Sequence, residues 1–120
     1  MTLSDYQKKA MTTCLSTSEN FSYMFLNLVG EIGEFASKVA KFIRKDKAHV
    51  NHDILYFSPN GEIPVEEIED LRKEIGDVMW QVAGVCTVMG WSLEDVCQEN
   101  LDKLASRKER KVIDGNGDNR

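Results

Sequence analysis

The sequence predicts an all-α protein, a four-helix bundle that assembles as a homo-oligomer. Apolar residues recur at three- and four-residue steps over two long stretches, which is the pattern of helices packed against other helices. The chain of 120 residues holds only 2 prolines, so long uninterrupted helices are favoured. No stretch gives a firm strand signal. The length is that of one domain, and we predict a single helical domain over residues 1–120, with a loop insertion at 45–64 and a C-terminal tail at 111–120.

The first two helices are predicted from a capping pattern and an apolar stripe. Ser4 followed by Gln7 matches a capping box and predicts a helix over about 4–15. The polar run 17–20 separates it from a second helix over about 20–44. The apolar stripe of this second helix consists of Phe21, Phe25, Leu28, Ile32, Phe35, Val39 and Phe42.

Residues 45–64 are predicted to form an irregular loop. The segment contains His49 and His52, with no third ligand at a spacing suited to a metal, so both are expected to face solvent. The sequence Ser-Pro-Asn-Gly at 58–61 is typical of a turn.

The third and fourth helices follow this loop. Pro64 predicts the start of the third helix, which should end near Met89 with Gly90 just beyond it. Ser92 is expected to cap a fourth helix over about 92–109. The third helix is apolar on nearly all sides over residues 78–89, which favours a homodimer or homotetramer. The alternative is a scatter of exposed apolar residues, which is common on monomers.

Composition narrows the class of protein. The net charge of −5 and a pI near 5.0 argue against a protein that coats nucleic acid, so no nucleic-acid partner is expected. The 3 cysteines show no CxxC motif and are expected to be reduced thiols. The sequence shows neither a signal peptide nor an apolar run of membrane-spanning length. We therefore expect a cytoplasmic protein without a membrane partner.

One acidic phrase occurs twice, once in each long helix. Glu31 and Glu34 flank Ile-Gly in the first copy, and Glu74 and Asp77 flank Ile-Gly in the second. Each pair lies on one helix face, and both pairs flank their apolar stripes on the same side. Two such charges about 4 Å apart repel by about 4 kcal/mol at an effective dielectric of 20. Oxygen ligands of this kind suit Mg²⁺ or Mn²⁺. The alternative is two solvated faces paired with Lys38, Lys41 or Lys73.

The fourth helix carries a polar and cationic counterpart. Asn100, Lys103 and Arg107 flank its apolar stripe on the corresponding side. The alternative is an ordinary solvated helix face. Aromatic residues at helical spacing, Tyr6, Phe21, Trp80 and Trp91, are more typical of core than of base stacking.

At the acidic phrases the chain resembles the MazG-like family of all-α nucleoside triphosphate pyrophosphohydrolases, whose signature is ExxE on one helix and ExxD on the next. The resemblance extends to residues 3–7, to the 100–104 segment with Arg107, and to the Gly-Asn-Gly-Asp-Asn-Arg end. The chain differs from the family in the spacing between Glu34 and Glu74, which is longer than such proteins usually have. The excess falls in the 45–64 loop.

The resemblance implies Mg²⁺-dependent hydrolysis of a nucleoside triphosphate to the monophosphate and pyrophosphate. Deoxynucleoside triphosphates are the expected substrates. It implies that Glu31, Glu34, Glu74 and Asp77 hold the metal, with Glu34 a guess for the residue that orients water. Asn100, Lys103 and Arg107 would bind phosphate, and Arg110, Lys111 and Arg120 could close over it from the tail. The alternative tail is a frayed C-terminus. The alternative function is a non-catalytic helical oligomer that binds metal or nucleotide as a sensor or adaptor.

Overall fold

Four helices and a two-stranded hairpin make up the structure, a computed structural model that describes residues 1–57 and 65–120. The elements are α1 (Leu3–Met11), α2 (Phe21–Arg44), β1 (Ala48–Asn51), β2 (Ile54–Phe57), α3 (Val65–Val88) and α4 (Leu93–Glu109). One turn of 3-10 helix lies at Ser16–Ser18. The prediction of four helices is confirmed. None of the described helices is long and apolar enough to span a membrane.

Helix α1 is capped differently from the prediction. Thr2 is the N-cap, and its side chain and that of Asp5 form the reciprocal capping box, so the predicted Ser4–Gln7 box is wrong. Gln7 instead joins α1 to the start of α4, because its Oε1 accepts a hydrogen bond from the Leu93 amide at 2.8 Å.

Helix α1 is also shorter than the predicted 4–15. It ends at Met11, where the hydroxyls of Thr12 and Thr13 donate back to carbonyls of the last turn. Such local bonds compete with continuation of a helix. The indole of Trp80 then fixes α1 against α3 by donating to the Thr13 hydroxyl at 2.9 Å and to the Ala10 carbonyl. Part of the apolar surface of α3 that predicted an oligomer is therefore covered by α1.

The predicted loop at 45–64 contains an antiparallel hairpin, which corrects the expectation of an irregular loop without strands. Ala48 pairs with Phe57 and Asn51 with Ile54. The two-residue turn at His52 and Asp53 has φ of 50° and 61°, as a type I′ hairpin turn requires. His-Asp is an uncommon sequence for such a turn, so the usual Asn-Gly signal was missing. The predicted turn at 58–61 and the helix start at Pro64 lie outside the described residues.

Among the described residues, two small core clusters lie at opposite ends of the α2–α3 pair. One joins Phe42, Ala48 and Leu71, with Leu55 and Phe57 of the hairpin packed against it. The second cluster joins α3, α4 and α1. Its buried members are Ala83, Cys86 and Leu93, and its partly buried members are Leu3, Tyr6, Met11, Val82 and Cys97.

A close approach between the two long helices sets their register. A Cβ atom at Gly84 of α3 would overlap the Sδ of the buried Met24 of α2, so a larger residue there would require the Met24 side chain to move. At the other end Phe42 packs on Leu71. Together these contacts align α2 and α3 as an antiparallel pair.

The predicted end of α3 and both predicted boundaries of α4 are confirmed within one residue. Gly90 has φ of 74°, and the Trp91 amide donates to the Cys86 carbonyl at 2.8 Å, which is the bonding of a glycine-ended helix. The Ser92 side chain accepts from the Asp95 amide and caps α4 as predicted.

Helix α4 packs only through its beginning. Leu93 and Cys97 join the second cluster, whereas Leu101 and Leu104, the next residues of the same stripe, are 59% and 41% exposed. The first half of the α2 stripe is also uncovered: Phe21, Phe25 and Ile32 are exposed. The apolar surface of a single copy is therefore only partly buried within that copy.

Candidate metal centre

The doubled acidic phrase lies on the facing sides of α2 and α3. Seven residues return a helix to within about 20° of the same direction, so Met24, Glu31 and Lys38 share one side of α2. Met24 meets Gly84, and Lys38 forms an ion pair with Glu74. These two contacts lie on either side of Glu31 and Asp77, and they hold the acidic residues of both helices across from one another.

Three carboxylates converge at this place. Glu31, Glu74 and Asp77 each offer an oxygen atom, and the three atoms lie within 4.8 Å of one another. Glu74 is buried at 7% exposure, Glu31 is half-buried, and Asp77 is exposed. The cluster therefore has a buried floor and a side open to solvent, as a site that admits both an ion and a substrate needs.

The electrostatics of the cluster disfavour three free negative charges. Burial, and then the charges of Glu34, Asp77 and Glu74, raise the pKa of Glu31 above its ordinary value. Asn27 opposes this effect by donating from Nδ2 to Glu31 Oε1 at 3.2 Å. A carboxyl group that is pushed towards its protonated form by like charges is one that a bound cation would return to its ionised form.

Glu74 shows most directly that a cation fits. Its Oε1 accepts a hydrogen bond from Lys38, and this bond raises the pKa of the lysine. Its Oε2 is buried and has no hydrogen-bond partner within the described parts of the chain. A buried charged oxygen without a partner is costly, whereas a hard divalent ion takes carboxylate oxygens as its preferred ligands. The donor set therefore fits such an ion.

Glu34 is not one of the three converging carboxylates. It lies exposed one turn beyond Glu31 on α2, close enough for its charge to raise the pKa of that residue. The two glycines of the acidic phrases, Gly33 and Gly76, have nothing within 4 Å of where a Cβ would be. Their smallness is therefore not required by packing among the described residues, and the surface beside the cluster is open.

The cations of α4 are bonded to the tail and not to the cluster. Arg107 is 5% exposed and donates to the Asp118 carboxylate at 2.9 Å and to the Gly117 carbonyl at 3.4 Å. Lys103 reaches the same carboxylate at 3.3 Å. The two cations hold the pKa of Asp118 below its ordinary value, so it stays ionised near neutral pH. Asn100 lies exposed on α4.

The tail is folded against the end of α4, in contrast to the frayed alternative. Arg110 donates to the main-chain oxygen of Arg120 at 2.7 Å, and Arg120 donates back to the Val112 carbonyl at 3.2 Å. Both arginines proposed to close over phosphate are thus engaged in tail bonds. His49 stacks on Tyr56 at 5.4 Å between ring centres, on the hairpin.

Two residues near the cluster were absent from the sequence-based site. Asn27 could have been found as the residue one turn before Glu31. Gln81 is a single amide in the apolar segment of α3, and it is 3% exposed with no partner for its Oε1 in the described structure. A polar residue within an apolar helical run was the available signal.

Comparison with known proteins shows the family to which the chain belongs. The chain is 46% identical over 102 residues to the Gene 37 protein of Mycobacterium phage L5, an alignment that covers 85% of this chain and 78% of that protein. No solved structure matches the chain. The family model for the MazG nucleotide pyrophosphohydrolase domain matches residues 19–112. These residues include both acidic phrases and the Asn100–Arg107 segment. The chain belongs to the MazG nucleotide pyrophosphohydrolase domain family.

Proposed function

We propose that this protein hydrolyses nucleoside triphosphates to the monophosphate and pyrophosphate, with Mg²⁺ bound by Glu31, Glu74 and Asp77. Deoxynucleoside triphosphates are the proposed preferred substrates. The observation that carries the proposal is the cluster of three carboxylates, whose member Glu74 has a buried Oε2 without a partner among the described residues. The family membership gives the reaction class. A role in clearing the nucleotide pool would follow from such an activity.

The carboxylates would hold the ion and leave room for substrate. When bound, Mg²⁺ neutralises the triphosphate and polarises the attacked phosphorus. Mn²⁺, which also prefers oxygen ligands, is expected to substitute for it. The exposed side of the cluster at Asp77 is the side from which the triphosphate would approach.

Glu34 is proposed to orient the attacking water and accept its proton. It lies outside the converging oxygens but on the same helix, one turn from Glu31. The water oxygen would form a new bond to phosphorus, the anhydride bond between the α- and β-phosphates would break, and pyrophosphate would leave. Positioned general bases contribute about 10²- to 10⁴-fold to such rates.

Lys103 and Arg107 are proposed to bind phosphate, with Asn100 adding a hydrogen bond. Both cations already hold one anionic group, the Asp118 carboxylate. Substrate phosphate would take the place of this carboxylate, and Arg110 and Arg120 could add contacts once the tail is displaced. The buried Nε of Arg107 has no partner in the described chain, so the guanidinium retains capacity for a further acceptor.

A homodimer or homotetramer is proposed from the surface of the single copy. Its accessible area is 8884 Å², whereas a compact monomer of 13.6 kDa exposes about 6,600 Å². Its radius of gyration is 18.0 Å, against about 14 Å for a compact chain of this length. The excess area is of the size that permanent oligomers bury. The exposed stripes of α2 and α4 are the surfaces that a second copy would cover.

The test is pyrophosphate release from a panel of all common NTPs and dNTPs, with Mg²⁺ and with EDTA. We expect release that requires Mg²⁺ and is fastest with a deoxynucleotide. If nucleotide binds but no member of the panel is hydrolysed, the protein is a nucleotide-binding module and the proposal is wrong. Light scattering at micromolar concentration tests the oligomer, and a monomer would contradict it.

A further inference from the structure

Gln81 is a buried amide in the apolar segment of α3. It lies on α3 one turn beyond Asp77, and its side-chain Oε1 is without a partner among the described residues. Unpaired buried acceptors are uncommon in native proteins and call for a specific explanation.

The position of Gln81 directs it towards the acidic cluster. At 100° per residue it lies within about 20° of Glu74 and about 40° of Asp77 around α3. Side chains on a helix lean towards its N-terminus, and this tendency would bring the amide of Gln81 back over the turn that carries Asp77. The close contact of Met24 with Gly84 fixes the next turn, and Gln81 therefore lies between that contact and the carboxylates.

Helix α2 approaches the same layer from the opposite direction. Because α2 is antiparallel to α3, a lean of Glu31 towards its own N-terminus is a lean towards Gln81. The observed hydrogen bond from Asn27 to Glu31 Oε1 agrees with this direction. Asn27 and Gln81 are thus the two amides in the layer of the helix pair next to the carboxylates.

We infer that Gln81 is a positioning residue of the metal centre: its side-chain oxygen accepts a hydrogen bond from a water molecule on the divalent ion held by Glu31, Glu74 and Asp77. The inference rests on the proposed function. Ions such as Mg²⁺ keep several waters when bound, and each bound water is a strong donor. Residues that orient metal ligands or waters from outside contribute about 10- to 100-fold to affinity.

A purely structural role for Gln81 makes the opposite prediction. If the amide supports packing, an apolar replacement lowers the stability of the metal-free protein and leaves metal affinity alone. If it serves a metal-bound water, the replacement removes an unpaired buried oxygen, so metal-free stability holds or rises while metal affinity falls. The two roles therefore move two measurable quantities in different directions.

The experiment compares wild type with Gln81→Met, which keeps the unbranched shape and removes the amide. Mn²⁺ binding is followed without nucleotide by the electron paramagnetic resonance signal of free Mn²⁺, and thermal unfolding is recorded in EDTA. We expect Mn²⁺ affinity lower by about 10- to 100-fold and an unfolding midpoint that is unchanged or higher. Gln98→Met, at an exposed amide of α4, is the matched control and should change neither.

Equal Mn²⁺ binding by wild type and Gln81→Met would overturn the inference and leave the metal site standing. Absence of Mn²⁺ binding by wild type would overturn the metal site and the inference together. Gln81→Glu keeps an acceptor at the same place, so it should retain or tighten Mn²⁺ binding. Weaker binding by this variant would also contradict the inference, and it provides a test should Gln81→Met fail to fold.

Discussion

The two charged regions of the molecule are organised in different ways. The acidic region is assembled within one pair of helices, where the Met24–Gly84 contact and the Lys38–Glu74 ion pair fix Glu31 and Asp77 between them. The cationic region, Lys103 and Arg107 on α4, is bound to the tail of the chain through Asp118. The metal half of the proposed site is thus preformed, whereas the phosphate half must exchange one anion for another.

This difference follows from how each helix is packed. Helices α2 and α3 contact each other along their length, so one register determines the positions of all the acidic residues. Among the described residues, helix α4 contributes Leu93 and Cys97 to the core, and the next residues of its apolar stripe are exposed. A rigid helix pair suits a metal, whose ligands must be placed closely. Helix α4, whose apolar stripe is exposed, is suited to contact another copy of the chain or the substrate.

The largest expected effect separates metal binding from water activation within the acidic region. Glu34→Gln should lower kcat by about 10²- to 10⁴-fold, because it removes the proposed base. Mn²⁺ affinity should change little, since Glu34 is not among the converging oxygens. Steady-state kinetics and Mn²⁺ binding on the same preparation check this. A loss of Mn²⁺ affinity as large as the loss of kcat would make Glu34 a metal ligand.

A second prediction concerns a substitution that disturbs the register between α2 and α3, on which the acidic region depends. Gly84→Val should destabilise the protein by about 1–3 kcal/mol, because its side chain would overlap Met24. Mn²⁺ affinity should fall with it as the carboxylates move apart. Urea unfolding gives the free energy.

Gly33→Ala is the matched control for this prediction, since a Cβ there meets nothing within 4 Å. It should stabilise the helix by about 0.5–1 kcal/mol. Equal effects of the two substitutions would show that the Met24–Gly84 contact does not set the register.

Removal of the Lys38 ammonium group from the acidic cluster should affect metal binding and stability in opposite directions. Lys38→Met leaves the buried Glu74 carboxylate without its ion pair, so the unfolding midpoint in EDTA should fall. Mn²⁺ binding should tighten, because one positive charge has left the cluster. Lys41→Met, elsewhere on α2, serves as the control. Weaker Mn²⁺ binding by Lys38→Met would mean that the lysine positions Glu74 for the ion.

The smallest expected effect concerns the cationic region. Asp118→Asn removes the carboxylate that pairs with Lys103 and Arg107, so the KM for nucleotide should fall modestly with kcat unchanged. Asp114→Asn, in the same tail, should leave KM as it is. A rise in KM for Asp118→Asn would indicate that the tail carboxylate orders these cations for substrate and does not compete with it.

Local signals in the sequence predicted the helices and the convergence of three of the four acidic residues. The spacing of the apolar residues, the cap at Ser92 and the helix end at Gly90 depend only on residues nearby in sequence. The two acidic phrases likewise place their carboxylates on one helix face through helix geometry alone. The hairpin was missed because its turn uses His52 and Asp53 in an unusual backbone conformation. The cap at Thr2 was missed because Ser4 offered a similar pattern two residues later.

Contacts between distant parts of the chain could not be predicted in this way. Lys38 and Glu74 are far apart in sequence, and only the α2–α3 register brings them together. The pairing of Arg107 with Asp118 depends on how the tail turns back after α4. Burial of Gln81 likewise results from packing of the whole helix pair.

The most direct test of the account compares wild type, Glu74→Gln and Glu99→Gln for Mg²⁺-dependent pyrophosphate release and for Mn²⁺ binding. Glu74→Gln keeps the shape of the side chain and removes the buried charge, and Glu99 is an exposed acid on α4. We predict that Glu74→Gln retains its helical circular dichroism but loses both activities, while Glu99→Gln retains both. Turnover by Glu74→Gln at the wild-type rate would contradict the assignment of the metal centre to this cluster.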